Sequence, residues 1–173
     1  AYQTAEAINS FRNLTVQIHE DLIEINGGDW EGHYWRDLPG LFPEDTVLWN
    51  TRPYDFAPKN GEPMRHVYER MKRAVLEIAE KNQGKQICIT SHGCAIRNFL
   101  CWAMGKPIEQ INEVDWCDNT AVSIIDFNDA FEPTVVLANA ASHLSGETST
   151  FSKQTWWKPE NRIKTEWDEE MFQ

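Results

Sequence analysis

The chain has 173 residues, a formal net charge of −11, 41% hydrophobic residues and 25% charged residues. That size fits one domain with a real core, and the balance excludes a disordered chain. The acidity argues against nucleic acid or an anionic membrane as partner, since both select basic faces, yet a few placed cations can still make a pocket for an anionic small molecule.

Ala1 to Arg12 reads as a short helix, or the end of one, with Ala5, Ile8 and Phe11 in an apolar stripe and no capping residue before it. Thr15 to Ile18 looks like a brief strand. Leu22, Glu24 and the run Gly27-Gly28-Asp29-Trp30-Glu31-Gly32 follow as an ordered loop. Residues 33 to 61 hold four prolines and no long periodic pattern, which predicts an irregular insertion with one short helix.

A strong helix follows. Pro63 suits a first helical position, and Met64, Val67, Met71, Ala74, Val75 and Ile78 keep one apolar face to about Lys81. Gly84 is placed to close it in a left-handed conformation. Gln86 to Thr90 is a compact β run, then Ser91-His92-Gly93 leads into an apolar helix from Cys94 to Met104, ended by Gly105-Lys106-Pro107. Ala121 to Phe127 and Thr134 to Leu137 are two further strands, with Phe131-Glu132-Pro133 at the turn between them.

This order predicts an α/β fold: a three-layer α/β/α domain over residues 1–150 with a mixed, largely parallel sheet, a cap insertion at about 33–61, and a C-terminal tail at 151–173. Trp156, Trp157 and Trp167 in that tail could cover the sheet edge, form a homodimer contact or lie over the pocket; packing on the domain is the default.

No stretch approaches the roughly 20 apolar residues of a membrane helix, and the N-terminus carries neither the basic flank nor the apolar run of a signal peptide. Cysteines at 88, 94, 101 and 117 match neither a zinc site nor a disulfide framework, so reduced, packed thiols in a cytoplasmic protein are expected.

Two windows can carry chemistry. In Ile87 to Arg97 a buried strand ends, Ser91-His92-Gly93 follows, and a helix begins. Ligands gather at the carboxyl ends of strands in open α/β sheets, and a helix N-terminus offers unpaired N–H groups that suit an anion. Gly93 lets the backbone approach such a ligand, and His92 could donate to a phosphoryl oxygen; a structural histidine is the equal alternative. In the second window, Glu24 lies between Ile23 and Ile25. A carboxyl so placed can protonate a leaving alkoxide and later activate water, or be an ordinary strand-end glutamate. Gly27, Gly28 and Gly32 match neither a dinucleotide nor a P-loop fingerprint. His19, His33 and His66 show no metal-ligand spacing, and no metal or other cofactor is expected. Asn139 and His143 follow the last strand, where a structural role is the simpler reading.

Together these windows resemble the histidine phosphatase (phosphoglycerate mutase-like) superfamily. Ser91-His92-Gly93 with Ile96-Arg97 is similar to its second-histidine motif, and Glu24 with Gly28-Asp29-Trp30-Glu31-Gly32 to its acid-bearing segment as found among its phosphatases. Gly61-Glu62 with Arg70 resembles the opening of its next long helix, Gln3-Thr4-Ala5 the helix after its second phosphate-binding arginine, and Asn139 with His143-Leu144 its last strand end.

The resemblance implies that His92 and Gly93 bind the transferred phosphoryl group and that Glu24 is the proton donor. The implied reaction transfers phosphate from a small phosphorylated metabolite to a nucleophilic histidine and then hydrolyses it, without metal. The family's nucleophile lies in an Arg-His-Gly motif on its first strand, and these 173 residues contain none. The expectation is therefore a chain that lacks that strand, partners its own missing N-terminal segment, and is inactive alone. A phosphoglycerate mutase is the alternative within the family, and a non-catalytic binding module the alternative outside it. The insertion offers only Arg36, Arg52 and Lys59 as cations amid Trp35, Phe42, Trp49, Tyr54 and Phe56, which suits a less polar leaving group better than a second small acid.

Overall fold

A computed structural model describes residues 1–154. Its centre is a pair of packed helices, α4 (Met64–Lys81) and α5 (Gly93–Ala103). The apolar stripe read from α4 is the buried one: Val67, Met71 and Val75 cluster with Ala95, Phe99 and Ala103 of α5. Each of the valine, methionine and phenylalanine side chains contributes about 1.5–3 kcal/mol by leaving water. Pro63 stands one residue before α4 as its N-cap rather than inside it. Gly84 has φ +71° beyond its end. Helix α5 ends as the sequence predicts: Gly105 takes φ +72°, and the Lys106 N–H donates to the Cys101 carbonyl at 3.0 Å.

A second cluster joins Met64, Tyr68, Leu100 and Cys101 to Ile108, Ile111 and Val114 and, on the other side, to Trp30, Leu38 and Phe56. Leu38 and Phe56 belong to the insertion, which is more helical than expected, and Trp30 to the loop just before it. The insertion holds α2 (Leu38–Leu41), α3 (Pro43–Thr51) and a single turn at Pro53–Asp55. Prolines stand at the first or second position of these short elements, where a missing N–H is harmless.

The predicted sheet is only partly present. Among the described residues the ladder consists of β1 (Val122–Phe127) and β2 (Pro133–Ala140), antiparallel, with Ile125 opposite Val135 and Ile124 opposite Leu137. Ile125, Phe127 and Val135 turn inward against the helices. The expected strands at Thr15–Ile18 and Gln86–Thr90 carry no ladder, so a largely parallel sheet is not what these residues form. The reason is physical: apolar β-branched sequence makes a segment able to pair, but a strand exists only where a neighbour supplies the other half of its hydrogen bonds.

The same openness shows elsewhere. Helix α1 (Tyr2–Asn9) buries no residue, and the end of its stripe, Phe11, is 91% exposed. The tail tryptophans lie outside the described residues. No helix among the described residues is long and apolar enough to cross a membrane.

Candidate active site

Two glycines set the first half of the site. Gly28 has φ +55°, and a Cβ there would fall 2.2 Å from the Lys59 carbonyl oxygen; a Cβ at Gly61 would fall 2.6 Å from that of Asn26. Only bare backbone lets these two loops interlock, with the Asp29 N–H on Lys59 O at 2.9 Å and the Glu62 N–H on Asn26 O at 2.8 Å. This fixes Glu62, whose carboxylate grips Arg70 through two bonds, Nε at 2.7 Å and Nη2 at 2.9 Å. The buried Arg70 then spends its remaining donor on the backbone just before Glu24, giving Nη1–H bonds to Asp21 O at 2.6 Å and Ile23 O at 2.9 Å. Ser91 Oγ donates to Leu22 O at 2.6 Å from the other side. The chain leading to Glu24 is thus pinned from α4 and from the residue next to His92.

The Glu24 carboxylate ends on the start of α5. Its Oε2 accepts the Cys94 N–H at 3.0 Å, and its Oε1 accepts those of Ala95 at 3.0 Å and of its own neighbour Ile25 at 2.9 Å. A carboxylate at a helix N-terminus meets unpaired N–H groups and the positive end of the helix dipole. His92 is the N-cap of the same helix, with extended backbone. The structure therefore brings His92, Gly93 and Glu24 to one helix end, and Glu24 takes two of the amides expected to cradle an anion. Among the described residues the His92 imidazole and the Gly93 N–H make no hydrogen bond. A Cβ at Gly93 would meet nothing nearer than Trp116 Cζ3 at 4.0 Å, so the surrounding packing does not itself demand a glycine.

Sequence reasoning gave Arg97 only a place in a motif and did not single out Trp116. Arg97 is buried and works on backbone: Nε–H to Val114 O at 2.8 Å and Nη2–H to Ile111 O at 2.9 Å, with its guanidinium 4.4 Å from the centre of the Trp116 ring. Nothing periodic marks Trp116 in the sequence; only the loop's return to the head of α5 places it there.

Three of the four thiols fall away as nucleophiles, Cys88 being exposed. Burial pushes the Cys94 thiol far up, and the neighbouring Glu24 carboxylate adds to this; burial also lifts Cys101 to about 11 and raises Cys117. Thiols so held stay protonated and unreactive near neutral pH. His19 Nε2 sits 3.8 Å from Glu77, His66 Nδ1 2.9 Å from Glu62, and His33 meets Phe42 edge-on with centroids 5.8 Å apart. His143 Nε2 meets Thr120 Oγ1 at 3.2 Å, and Asn139 Nδ2 donates to Asp115 O at 3.1 Å. The cap cations Arg36, Arg52 and Lys59 each pair with an aspartate, at 3.6, 3.6 and 4.0 Å. Thr90 Oγ1 donates to the Ala1 carbonyl at 3.0 Å, so the head of α1 adjoins the segment that leads to His92.

The sequence profile of the histidine phosphatase superfamily (branch 1) matches residues 1–140. Phosphoserine phosphatase 1 of Hydrogenobacter thermophilus is 27% identical over 143 residues, which cover 83% of this chain and 67% of that protein. The adenosylcobalamin/alpha-ribazole phosphatase of Escherichia coli K12 is 30% identical over 144 residues, covering 82% and 69%. Among solved structures, YhfR of Bacillus stearothermophilus superposes with a TM-score of 0.79 at 26% identity, covering 84% of this chain and 71% of that one.

Proposed function

Because the chain belongs to the histidine phosphatase superfamily, we propose that it serves the hydrolysis of a small phosphomonoester through a phosphohistidine. The observation that carries this reading is the meeting of the Glu24 carboxylate with the unpaired His92 imidazole and Gly93 N–H at the head of α5. His92 and Gly93 donate to the non-bridging phosphoryl oxygens. A nucleophilic histidine forms its N–P bond as the bond to the leaving oxygen breaks, and the Glu24 carboxyl gives that oxygen its proton. The carboxylate then takes a proton from water as the water attacks phosphorus, freeing inorganic phosphate and the histidine.

The nucleophile and the phosphate-binding arginines are assigned to an Arg-His-Gly segment outside these 173 residues, which alone are inactive. Three observations support the assignment. The three cap cations already pair with aspartates, Arg36 and Arg52 inside the cap and Lys59 with Asp29 just before it. An arginine just before Ala1 would enter beside Thr90. Unladdered segments at 15–18 and 86–90 leave places for a partner strand. With that segment, the fold is a three-layer domain over 1–150 with a mixed, largely parallel sheet. Unpaired thiols support a cytoplasmic location.

The test is phosphate release from p-nitrophenyl phosphate by the full-length protein and its His92→Ala variant. Turnover should fall about 10²–10⁴-fold with the thermal midpoint little changed. Near-normal turnover would remove His92 from the site, and mutase activity that requires a bisphosphoglycerate would replace hydrolysis.

A further inference from the structure

The backbone leading to Glu24 is held by more bonds than its packing explains. Residues 21–24 lie in no ladder and none of their side chains is fully buried; Ile23 is 58% exposed. Yet the carbonyls of Asp21, Leu22 and Ile23 are all taken by side chains. The Arg70 guanidinium, on a residue of α4 that is 3% exposed, gives Nη1–H bonds to Asp21 O and Ile23 O. Ser91 Oγ gives its proton to Leu22 O between them. The donors come from two separate parts of the chain, and one of them is the residue next to His92.

The carboxylate that follows is held as fully. A carboxylate offers about four lone-pair sites. Oε1 accepts the N–H groups of Ala95 and Ile25, and Oε2 accepts that of Cys94. Among the described residues one site is left, and it lies on Oε2. A carboxyl fixed both at the backbone before it and at its own oxygens presents that site in one direction. Alignment matters most where a proton must pass between two groups: a misplacement of about 1 Å can cost about 10²-fold in rate.

We propose that Arg70 and Ser91 are positioning residues for proton transfer, and that Oε2 of Glu24 is the atom that gives the leaving oxygen its proton. The inference deepens the phosphatase reading and rests on it. As the bond from phosphorus to the leaving oxygen breaks, its electron pair stays on that oxygen, which takes the proton from Oε2. In the second step Oε2 recovers a proton from the attacking water. Arg70 and Ser91 touch neither phosphorus nor the leaving group; they act by holding the backbone that aims Oε2. Glu62 acts one step further back, gripping the Arg70 guanidinium with two bonds.

The test separates an ester that needs the proton from one that does not. Glycerol leaves poorly as a bare alkoxide, whereas a dinitrophenolate leaves readily without a proton. The measured quantity is the ratio of kcat/KM for dinitrophenyl phosphate to that for glycerol phosphate, in the full-length protein. Glu24→Gln should raise this ratio about 10²–10⁴-fold. Ser91→Ala and Arg70→Lys should each raise it about tenfold, and Ser91→Thr, which keeps the hydroxyl, should return it toward wild type. In a Glu24→Gln background neither substitution should raise it further, since the acid they align is gone. A general folding fault lowers both constants together and leaves the ratio alone. An unchanged ratio strikes that residue from the role, and unchanged ratios in both overturn the proposal while Glu24 remains the acid. If wild type hydrolyses neither ester, or Glu24→Gln does not move the ratio, the phosphatase reading fails separately, and amide exchange decides. Cys94 and Ala95 amides that exchange about tenfold faster in Ser91→Ala uphold the positioning of Glu24; unchanged exchange refutes it.

Discussion

Around Glu24 the approaching backbone is tied down: Arg70 holds the Asp21 and Ile23 carbonyls, Ser91 holds that of Leu22, and the carboxylate rests on α5. On the outer face of the β1–β2 hairpin, Ile124 sits opposite Leu137 with both side chains exposed, and Val136 beside them is 57% exposed. One chain thus completes one region and leaves the other open. The closed region is held by polar groups that must all be satisfied together; the open one offers apolar surface that gains nothing until something covers it.

The closed region breaks most sharply at Arg70. Arg70→Met leaves the Glu62 carboxylate, whose side chain is 12% exposed, with His66 alone and unties two carbonyls. Removing one partner of a buried ion pair costs about 3–5 kcal/mol, measurable as a lower urea midpoint at unchanged slope. Arg70→Lys should recover part of this, since an ammonium lacks the planar fork that serves Glu62 and the carbonyls at once. A loss below about 1 kcal/mol would show that the Glu24 segment is held by something else.

What the sequence made legible divides along the same line. Helices α4 and α5 follow from an apolar period that each segment carries within itself, and their ends from Gly84 and Gly105. His92 stands out in the sequence through the local signal of an apolar run, a glycine and a helix start, and Glu24 as a carboxyl between Ile23 and Ile25. Strands at 15–18 and 86–90 were read from composition, and composition cannot say whether a partner is present. The capping of α5 by Glu24 was not legible, since it joins residues far apart in sequence through backbone amides that no side-chain pattern records. Gly61 and Arg70 appeared only as parts of a motif; the interlocked loops supply the reason both are needed.

A smaller effect is expected at the seam between β1 and the last described helix, α6 (Thr150–Lys153). Asp118 accepts from Ser149 Oγ and from the N–H groups of Thr150 at 2.7 Å and Asn119 at 2.9 Å. Burial alone would raise its carboxyl, but these bonds more than offset burial and hold it below the ordinary value. A depressed carboxyl contributes stability above its unfolded pKa and loses it as pH falls through the folded one. Amide protection at Ser149–Gln154 should therefore decline as pH drops below about 4 while α5 remains protected. Asp118→Ala should remove about 1 kcal/mol locally at neutral pH and abolish the pH dependence. Protection that persists in acid would mean that α6 is held by packing instead.

The open face gives the smallest effect and the sharpest comparison. Ile124→Thr and Val136→Thr keep β-branched side chains, so strand preference is preserved and only apolar surface changes. In the 173-residue chain each should alter stability by less than about 0.5 kcal/mol, as surface substitutions do. In a longer protein whose additional segment covers the hairpin, the same substitutions should cost about 1–3 kcal/mol, because a hydroxyl would then be buried where an ethyl (Ile124) or a methyl (Val136) had been. Equal, small effects in both would leave that face solvent-exposed throughout. A large loss in the 173-residue chain would mean that residues of this chain already cover the hairpin, and the division between a closed and an open region would disappear.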